Sequence, residues 1–166
     1  MAQNYGNEWI DYSSSRRYLK IPIAKTGVFK IDFNTLNFAT QLVGTSLSSI
    51  DPRSIQLFAR GSEQYIYVEG EDDGVFNAGD FIEFYAEHND GWLDESLYPS
   101  SSEHTNPYYS LYNDTIYYFL TWDPTGVAST FRFDDVSYGT PPSTPLAYYI
   151  EEQNKLYSQG YHAGKS

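Results

Sequence analysis

Short runs in which apolar and polar residues alternate set the strongest limit on how this chain can fold. In "DFIEFYAE", every second side chain from Ile82 to Ala86 is apolar and falls on one side of an extended chain. "SRRYLKIPIAK", "TGVFKIDF", "SIQLFARG", "EQYIYVEG", "TIYYFLTW" and "STFRFDDVSY" supply further runs of similar length. Such runs are typical of half-buried β-strands.

About eight strands and one helix predict an all-β protein, an antiparallel β-sandwich of the jelly-roll type. We expect the short helix near residues 34–43, capped by Asn34 and ended by Gly44. The break at "AKTG" is short enough for a hairpin. Aromatic residues make up 18% of the chain, led by 17 tyrosines, and they favour pleated surfaces. The length, 166 residues, predicts a single domain over residues 1–166.

The charge and the residue types that are missing exclude several classes of protein. A net charge of −12 would repel nucleic-acid phosphates and anionic membranes. The chain has no cysteine, which excludes disulfides, thiolate metal sites and a cysteine nucleophile within it. Its longest apolar run is far shorter than the roughly 20 residues that span a bilayer, so no membrane-spanning segment is expected. "MAQNYG" lacks the basic start and apolar middle of a signal peptide.

The acidic stretch "EGEDDGVFNAGD" has the oxygen spacing of a calcium-binding loop of the EF-hand type. Counted from its first residue, oxygen ligands fall at positions one, three, five, seven, nine and twelve, with Gly74 at the sixth position where the chain must turn. The candidate calcium ligands are the side chains of Glu69, Glu71, Asp73, Asn77 and Asp80 and the carbonyl oxygen of Val75.

The same stretch also fits a hairpin tip without a metal. "DDG" is typical of a tight turn, and its charges would then lie in water. The flanking runs indicate strands, whereas an EF-hand loop lies between helices. Glutamates also occupy two early positions, and Asp80 stands at the last position, where a bidentate glutamate is usual. We therefore keep both interpretations.

A long polar passage rich in aromatic residues separates the predicted strands "DFIEFYAE" and "TIYYFLTW". Passages of this length inside a compact domain are often functional. Its aromatic residues are candidates for stacking against a sugar or contacting a protein partner: Trp92, Tyr108, Tyr109 and Tyr112. The alternative is that the tyrosines shield a sheet face and that Trp122, further along, ends a core strand.

No catalytic group is indicated. The three histidines have no spacing typical of metal ligands, and with 22 acidic residues any chosen pair of carboxylates is uninformative. The C-terminal "GYHAGKS" has one residue too few between its glycines for a phosphate-binding loop. We expect this segment not to be an enzyme.

Four phrases, in their order and spacing, resemble one protein family. "YGNEWIDYSS…YLKIPIAKTGVFKIDF", "DPRSIQLFARG", "YIYVEGEDDGVFNAGDFIEFYAEHNDGWLD" and "NPYYSLYNDTIYYFLTW" are similar to the N-terminal region of gingipain-type cysteine peptidases. The likeness is greatest to the sortase-like members of the type IX secretion system. It runs from about Tyr5 to Trp122, roughly the first three quarters of the chain.

The resemblance implies a non-catalytic β-sandwich that precedes a cysteine peptidase domain and packs against it. It also implies secretion, or a place at the outer-membrane surface of a Gram-negative bacterium. No catalytic residue of the family has a counterpart here, so this chain would be an excised N-terminal region of a longer secreted protein. The partner would be the downstream catalytic domain of the same polypeptide.

Two functional hypotheses follow. The first is a prodomain-like interaction domain, which assists the folding, latency or positioning of that peptidase through an aromatic interface. The alternative is a carbohydrate-binding β-sandwich module that stacks a glycan on Trp92 and nearby tyrosines, with calcium in the acidic loop as a stabilising cofactor. A free-standing hydrolase is disfavoured because no nucleophile and base stand out.

Overall fold

A computed structural model describes residues 9–11, 15–103, 108–110 and 112–133. The chain separates into two compact units, residues 1–135 and 136–166, and the described residues all lie in the first. The described part contains seven named strands and one α-helix: β1 Leu19–Ile23, β2 Gly27–Asp32, α1 Phe33–Leu42, β3 Ile55–Ala59, β4 Ser62–Gln64, β5 Tyr67–Glu69, β6 Phe81–Ala86 and β7 Ile116–Trp122.

The strands form two antiparallel sheets. The four-stranded sheet has the order β1-β7-β3-β4, and the three-stranded sheet has the order β2-β6-β5. Leu57 lies opposite Leu120 in the first sheet, and Ile31 lies opposite Ile82 in the second. The predicted all-β, antiparallel architecture is confirmed. The jelly-roll connectivity stays a prediction.

One hydrophobic core joins the inner faces of both sheets, as expected of a sandwich. Alternate residues of β3 and β6 are buried, and their polar or aromatic neighbours point outward. The rings of Phe84 in β6 and Tyr118 in β7 lie 6.0 Å apart and so connect the two sheets. Trp122 is 8% exposed at the end of β7, which confirms the interpretation that it belongs to the core.

The helix lies close to its predicted position but has a different cap. It begins at Phe33, and the Asp32 side chain accepts a hydrogen bond of 2.8 Å from the backbone N–H of Thr35. The prediction that Asn34 caps the helix is wrong, because Asp32 is the last extended residue of β2 and its carboxylate satisfies a free N–H group. Gly44 ends the helix with φ of +73°, as predicted.

Two predicted connections differ in the structure. The segment "AKTG" does not close a hairpin, because β1 pairs with β7 and β2 pairs with β6 in the other sheet. "EQYIYVEG" is likewise two strands, since β4 belongs to the first sheet and β5 to the second. Both segments cross from sheet to sheet, so that each strand keeps its apolar side toward the common core.

Several predictions lie partly or wholly outside the described residues. In "STFRFDDVSY", the described part forms one parallel bridge between Arg132 and Ile66, and the rest is not described. The extension of the single domain to residue 166 stays a prediction. No helix among the described residues has the length and apolarity needed to cross a bilayer.

Candidate functional sites: the acidic loop and the aromatic cleft

The acidic stretch is the connection of a β-hairpin. It joins β5 to β6, which pair with Glu69 opposite Phe81. A single 3₁₀ turn, Glu71–Asp73, lies between two glycines, Gly70 and Gly74, whose φ angles are +80° and +76°. Left-handed φ angles favour glycine, so the alternation of glycines and acids in this sequence reflects the turn geometry.

Two of the predicted calcium ligands stabilise the loop itself. The Asp73 carboxylate accepts a 2.8 Å hydrogen bond from the N–H of Val75. The Asp80 carboxylate accepts a 2.6 Å bond from the N–H of Asn77. The Asn77 side-chain amide donates to the Val75 carbonyl oxygen at 3.2 Å, so this oxygen also has a partner. Asp80 also lies so close to Gly70 that a Cβ there would collide with its carboxyl group.

The two glutamates among the predicted ligands have partners as well. Glu69 accepts a hydrogen bond from the hydroxyl of Tyr67. Glu71 forms an ion pair with Arg132 at 2.9 Å, with side chains only 23% and 14% exposed. Nowhere in the described ranges do three acidic or histidine side chains lie close enough to hold a metal ion. The arrangement favours the hairpin interpretation, and the calcium site stays a prediction.

The predicted aromatic contact residues separate into three environments. Tyr109 packs its ring on His88, with centroids 4.8 Å apart. Tyr108 and Tyr112 are 48% and 71% exposed. Trp92 is half-buried and lines a cleft that is described below. The structure therefore does not unite these four residues in one stacking platform.

Hydrogen bonds join the two loops that carry these residues. The Ser110 N–H donates to the Asn89 carbonyl oxygen at 3.2 Å, and the Ser110 hydroxyl donates to Asp94 at 2.5 Å. The Asn89 side chain donates to the carbonyl oxygen of Asn113 at 2.8 Å. The segment 89–94 therefore lies against Ser110 and Asn113 despite their separation in sequence.

His88 has a structural position within these loops. Its Nε2–H donates to the Tyr108 carbonyl oxygen at 2.9 Å, because a carbonyl can only accept. Its Nδ1 lies 2.7 Å from the hydroxyl oxygen of Thr26. Both ring nitrogens are thus engaged in holding the loops to the β1–β2 connection.

The cleft has a volume of about 320 Å³ and lies on the outer face of the four-stranded sheet. The sheet contributes Lys20 from β1 and Tyr117 and Phe119 from β7, whose side chains alternate with buried ones. The loops contribute Trp92 and Leu93. The polar residues of the lining are Arg60, Asn89, Asp94, Asn113 and Thr115.

Trp9 also lines this cleft, and sequence reasoning did not single it out. Its ring stacks on Phe58 with an interplanar angle of 1° and a centroid distance of 4.8 Å. It also contacts Phe119 at 5.1 Å. Phe58 and Phe119 lie opposite each other on neighbouring strands, so Trp9 covers a cross-strand aromatic pair. The only sequence signal for a contact role of Trp9 is that it is a tryptophan, a residue type common in contact surfaces.

Arg60 fixes the edge of the cleft. It lies with Gly61 in the two-residue turn between β3 and β4, and the φ angles of +51° and +78° are those of a tight hairpin turn. Its guanidinium donates to Asp90 at 3.0 Å and to the His88 carbonyl oxygen at 3.1 Å. Burial opposes the charge of Arg60, but the hydrogen bond to Asp90 and the nearby charges of Asp90 and Glu87 raise its pKa above the ordinary value.

Comparisons of the chain with protein-family models, with curated proteins and with solved structures found no significant match.

Proposed function

We propose that this chain is a non-catalytic, prodomain-like interaction domain of a secreted gingipain-type cysteine peptidase. The domain packs against the downstream catalytic domain of the same polypeptide, at the outer-membrane surface of a Gram-negative bacterium or outside the cell. The proposal starts from the likeness of the four phrases quoted above, which contain in turn β1 and β2, β3, the β5–β6 hairpin, and β7.

The observation that carries the proposal is a set of exposed apolar side chains on the joined loops. Leu97, Tyr108 and Tyr112, here called the loop surface, are 59%, 48% and 71% exposed. Exposed apolar and aromatic side chains on ordered loops are typical of protein contact surfaces. The hydrogen bonds of Ser110 hold the two loops together, so the surface is formed before a partner binds.

The position of His88 also supports a binding role. A general base needs a ring nitrogen that is free to accept a proton from a substrate. Both nitrogens of His88 instead contact Thr26 and Tyr108 within the domain. The side chain orders the loops that carry the loop surface.

The test is binding between the 166-residue chain and the separately produced catalytic domain, measured by calorimetry. We expect saturable binding, weakened about tenfold by Leu97→Ser and by Tyr112→Ser, because truncating a central contact residue typically costs more than 1 kcal/mol. Val28→Ser is the matched control. Val28 is 72% exposed on β2, in the three-stranded sheet and away from the loop surface in sequence. Its replacement should leave the affinity unchanged.

Two results would contradict the proposal. One is the absence of binding at any accessible concentration. The other is binding that the loop-surface variants and the Val28 control weaken equally, since the contact would then lie elsewhere.

A further inference from the structure

We propose that the cleft on the outer face of the four-stranded sheet is a saccharide-binding site, with Trp9 and Trp92 as its aromatic contacts and Lys20 as a hydrogen-bond donor. The inference is independent of the peptidase partner, because it concerns the cleft and not the loop surface. It assigns a ligand to Trp92 and adds two residues, Trp9 and Lys20, that sequence reasoning did not single out.

The aromatic lining fits the apolar face of a sugar ring. Four aromatic residues line the cleft, two of them indoles from distant parts of the sequence: Trp9, Trp92, Tyr117 and Phe119. A pyranose presents C–H groups on its faces and hydroxyl groups around its edge. Flat aromatic surfaces pack well against such faces, and polar groups beside them can meet the hydroxyls.

Lys20 is the lysine that lines the cleft, and like Arg17 and Lys25 it has no carboxylate partner among the described ion pairs. Five described cations form ion pairs with carboxylates: Arg16, Lys30, Arg53, Arg60 and Arg132. Lys20 forms no ion pair within the described ranges, and its ammonium lies 3.6 Å from the centroid of the Tyr117 ring. It can therefore donate hydrogen bonds to sugar oxygens, either neutral hydroxyls or the carboxylate of a uronic acid.

The edge of the cleft is polar and internally braced. Arg60 is held by Asp90, and Asn89 is held by Asn113. Asp94 accepts from the Ser110 hydroxyl. These bonds fix the loop residues in place, and a site formed in advance loses less entropy when a ligand binds.

The size of the cleft sets the length of ligand. Small-molecule sites range from about 300 to 1,000 Å³, and this cleft, at about 320 Å³, lies at the lower end. It can therefore enclose one or two sugar rings of a longer chain. An aromatic anchor of a protein partner is the competing occupant. Lys20 favours the sugar, because its ammonium lies in the lining without a carboxylate partner among the described residues and a purely apolar anchor would give it no acceptor.

The experiment titrates the 166-residue chain with cellotetraose, as a neutral probe, and with tetragalacturonate, as an acidic probe. Tryptophan fluorescence and calorimetry report binding. We expect saturable binding of at least one probe, weakened about tenfold by Trp92→Ala through loss of ring stacking. Lys20→Met should weaken binding several-fold, more for the acidic probe if the carboxylate is the group recognised. Lys25→Met, an exposed lysine at the β1–β2 connection, is the matched control and should change nothing.

Circular dichroism shows whether each variant keeps its sheet structure. Because Trp9 stacks on Phe58, Lys20→Met serves as the second variant in place of Trp9→Ala. Absence of binding for both probes at millimolar concentration would overturn the inference. So would binding that folded Trp92→Ala and Lys20→Met proteins retain at full strength. If the catalytic domain binds and those two variants abolish that binding while both sugars are silent, the cleft belongs to the protein partner instead.

Discussion

Arg132 connects three parts of the chain through one guanidinium group. Its Nε donates to Glu71 at 2.9 Å. One terminal nitrogen donates to the carbonyl oxygens of Pro52, at 3.2 Å, and Arg53, at 2.9 Å. A residue predicted as a calcium ligand, Glu71, is therefore the counter-ion of an arginine 61 positions away. In a sequence with 22 acidic residues and 10 lysines and arginines, the cations decide which carboxylates remain free.

We predict that Arg132→Ala lowers the free energy of unfolding by about 1–3 kcal/mol, because it leaves the partly buried Glu71 carboxylate without its counter-ion. The carbonyl oxygens of Pro52 and Arg53 each lose one of two donors. Urea unfolding followed by circular dichroism measures the change. Arg53→Ala is the matched control in the same corner of the molecule. Arg53 pairs with Asp51 but is 50% exposed, and exposed pairs contribute little.

Equal losses in the two variants would mean that Arg132 is no more than a surface charge. A loss of stability in Arg53→Ala alone would contradict the stabilising role given to the contacts of Arg132.

Among the elements, the β5–β6 hairpin shows that one loop sequence can be compatible with two different structures. The spacing of oxygens fits a calcium loop, and the spacing of glycines fits a tight turn. The structure uses the glycines, with left-handed φ angles at Gly70 and Gly74, and assigns the carboxylates to N–H groups, a tyrosine and an arginine. A calcium ion would need several of these carboxylates to exchange partners.

We therefore predict that millimolar calcium leaves the melting temperature unchanged after treatment with a chelator. A ligand that binds only the folded state stabilises it by RT ln(1 + L/Kd), where L is the free ligand concentration, so the effect becomes appreciable once that concentration reaches the dissociation constant. Differential scanning fluorimetry with about 5–10 mM calcium provides the measurement, because weak extracellular sites have dissociation constants of about 0.1–1 mM and would be filled. A rise in melting temperature that Asp73→Asn abolishes would establish the calcium site and contradict the hairpin interpretation.

At the scale of the whole molecule, hydrogen-bonded carboxylates make stability depend on pH. The backbone N–H of Thr35 lowers the pKa of Asp32. The side chain of Arg53 lowers the pKa of Asp51, and the hydroxyl of Thr125 lowers that of Asp123. A carboxylate whose pKa is lower in the folded state stabilises the fold above its unfolded pKa, about 3.9 for aspartate, and that stability is lost as the pH falls through the folded value.

We predict that stability, measured by urea unfolding between pH 7 and pH 2, falls most steeply below about pH 4. The double variant Asp32→Asn, Asp51→Asn should show a shallower fall, since asparagine also caps a helix but does not titrate in this range. An acid profile identical to that of the wild type would contradict the role given to these two carboxylates.

Local patterns of apolar and polar residues predict the class of fold and most of its strands. The alternation in "DFIEFYAE" and "TIYYFLTW" marks β6 and β7 because a strand buried on one face must repeat every two residues. The helix was predictable to within a residue at each end, from its apolar face and from Gly44. These patterns depend only on residues close together in the sequence, so the strands and the helix can be predicted without knowledge of the tertiary structure.

The pairing of the strands and the contacts between side chains depend on interactions between distant parts of the chain. The alternation of β1 and β2 is the same whether they form a hairpin or lie in different sheets, and the pairing with β7 and β6 brings together residues far apart in sequence. The cleft arises in the same way, since Trp9, Lys20 and Trp92 become neighbours of one cavity only when the loops cross the four-stranded sheet. Several strands have similar alternating patterns and could pair with one another, so the sequence of one strand does not specify its partner.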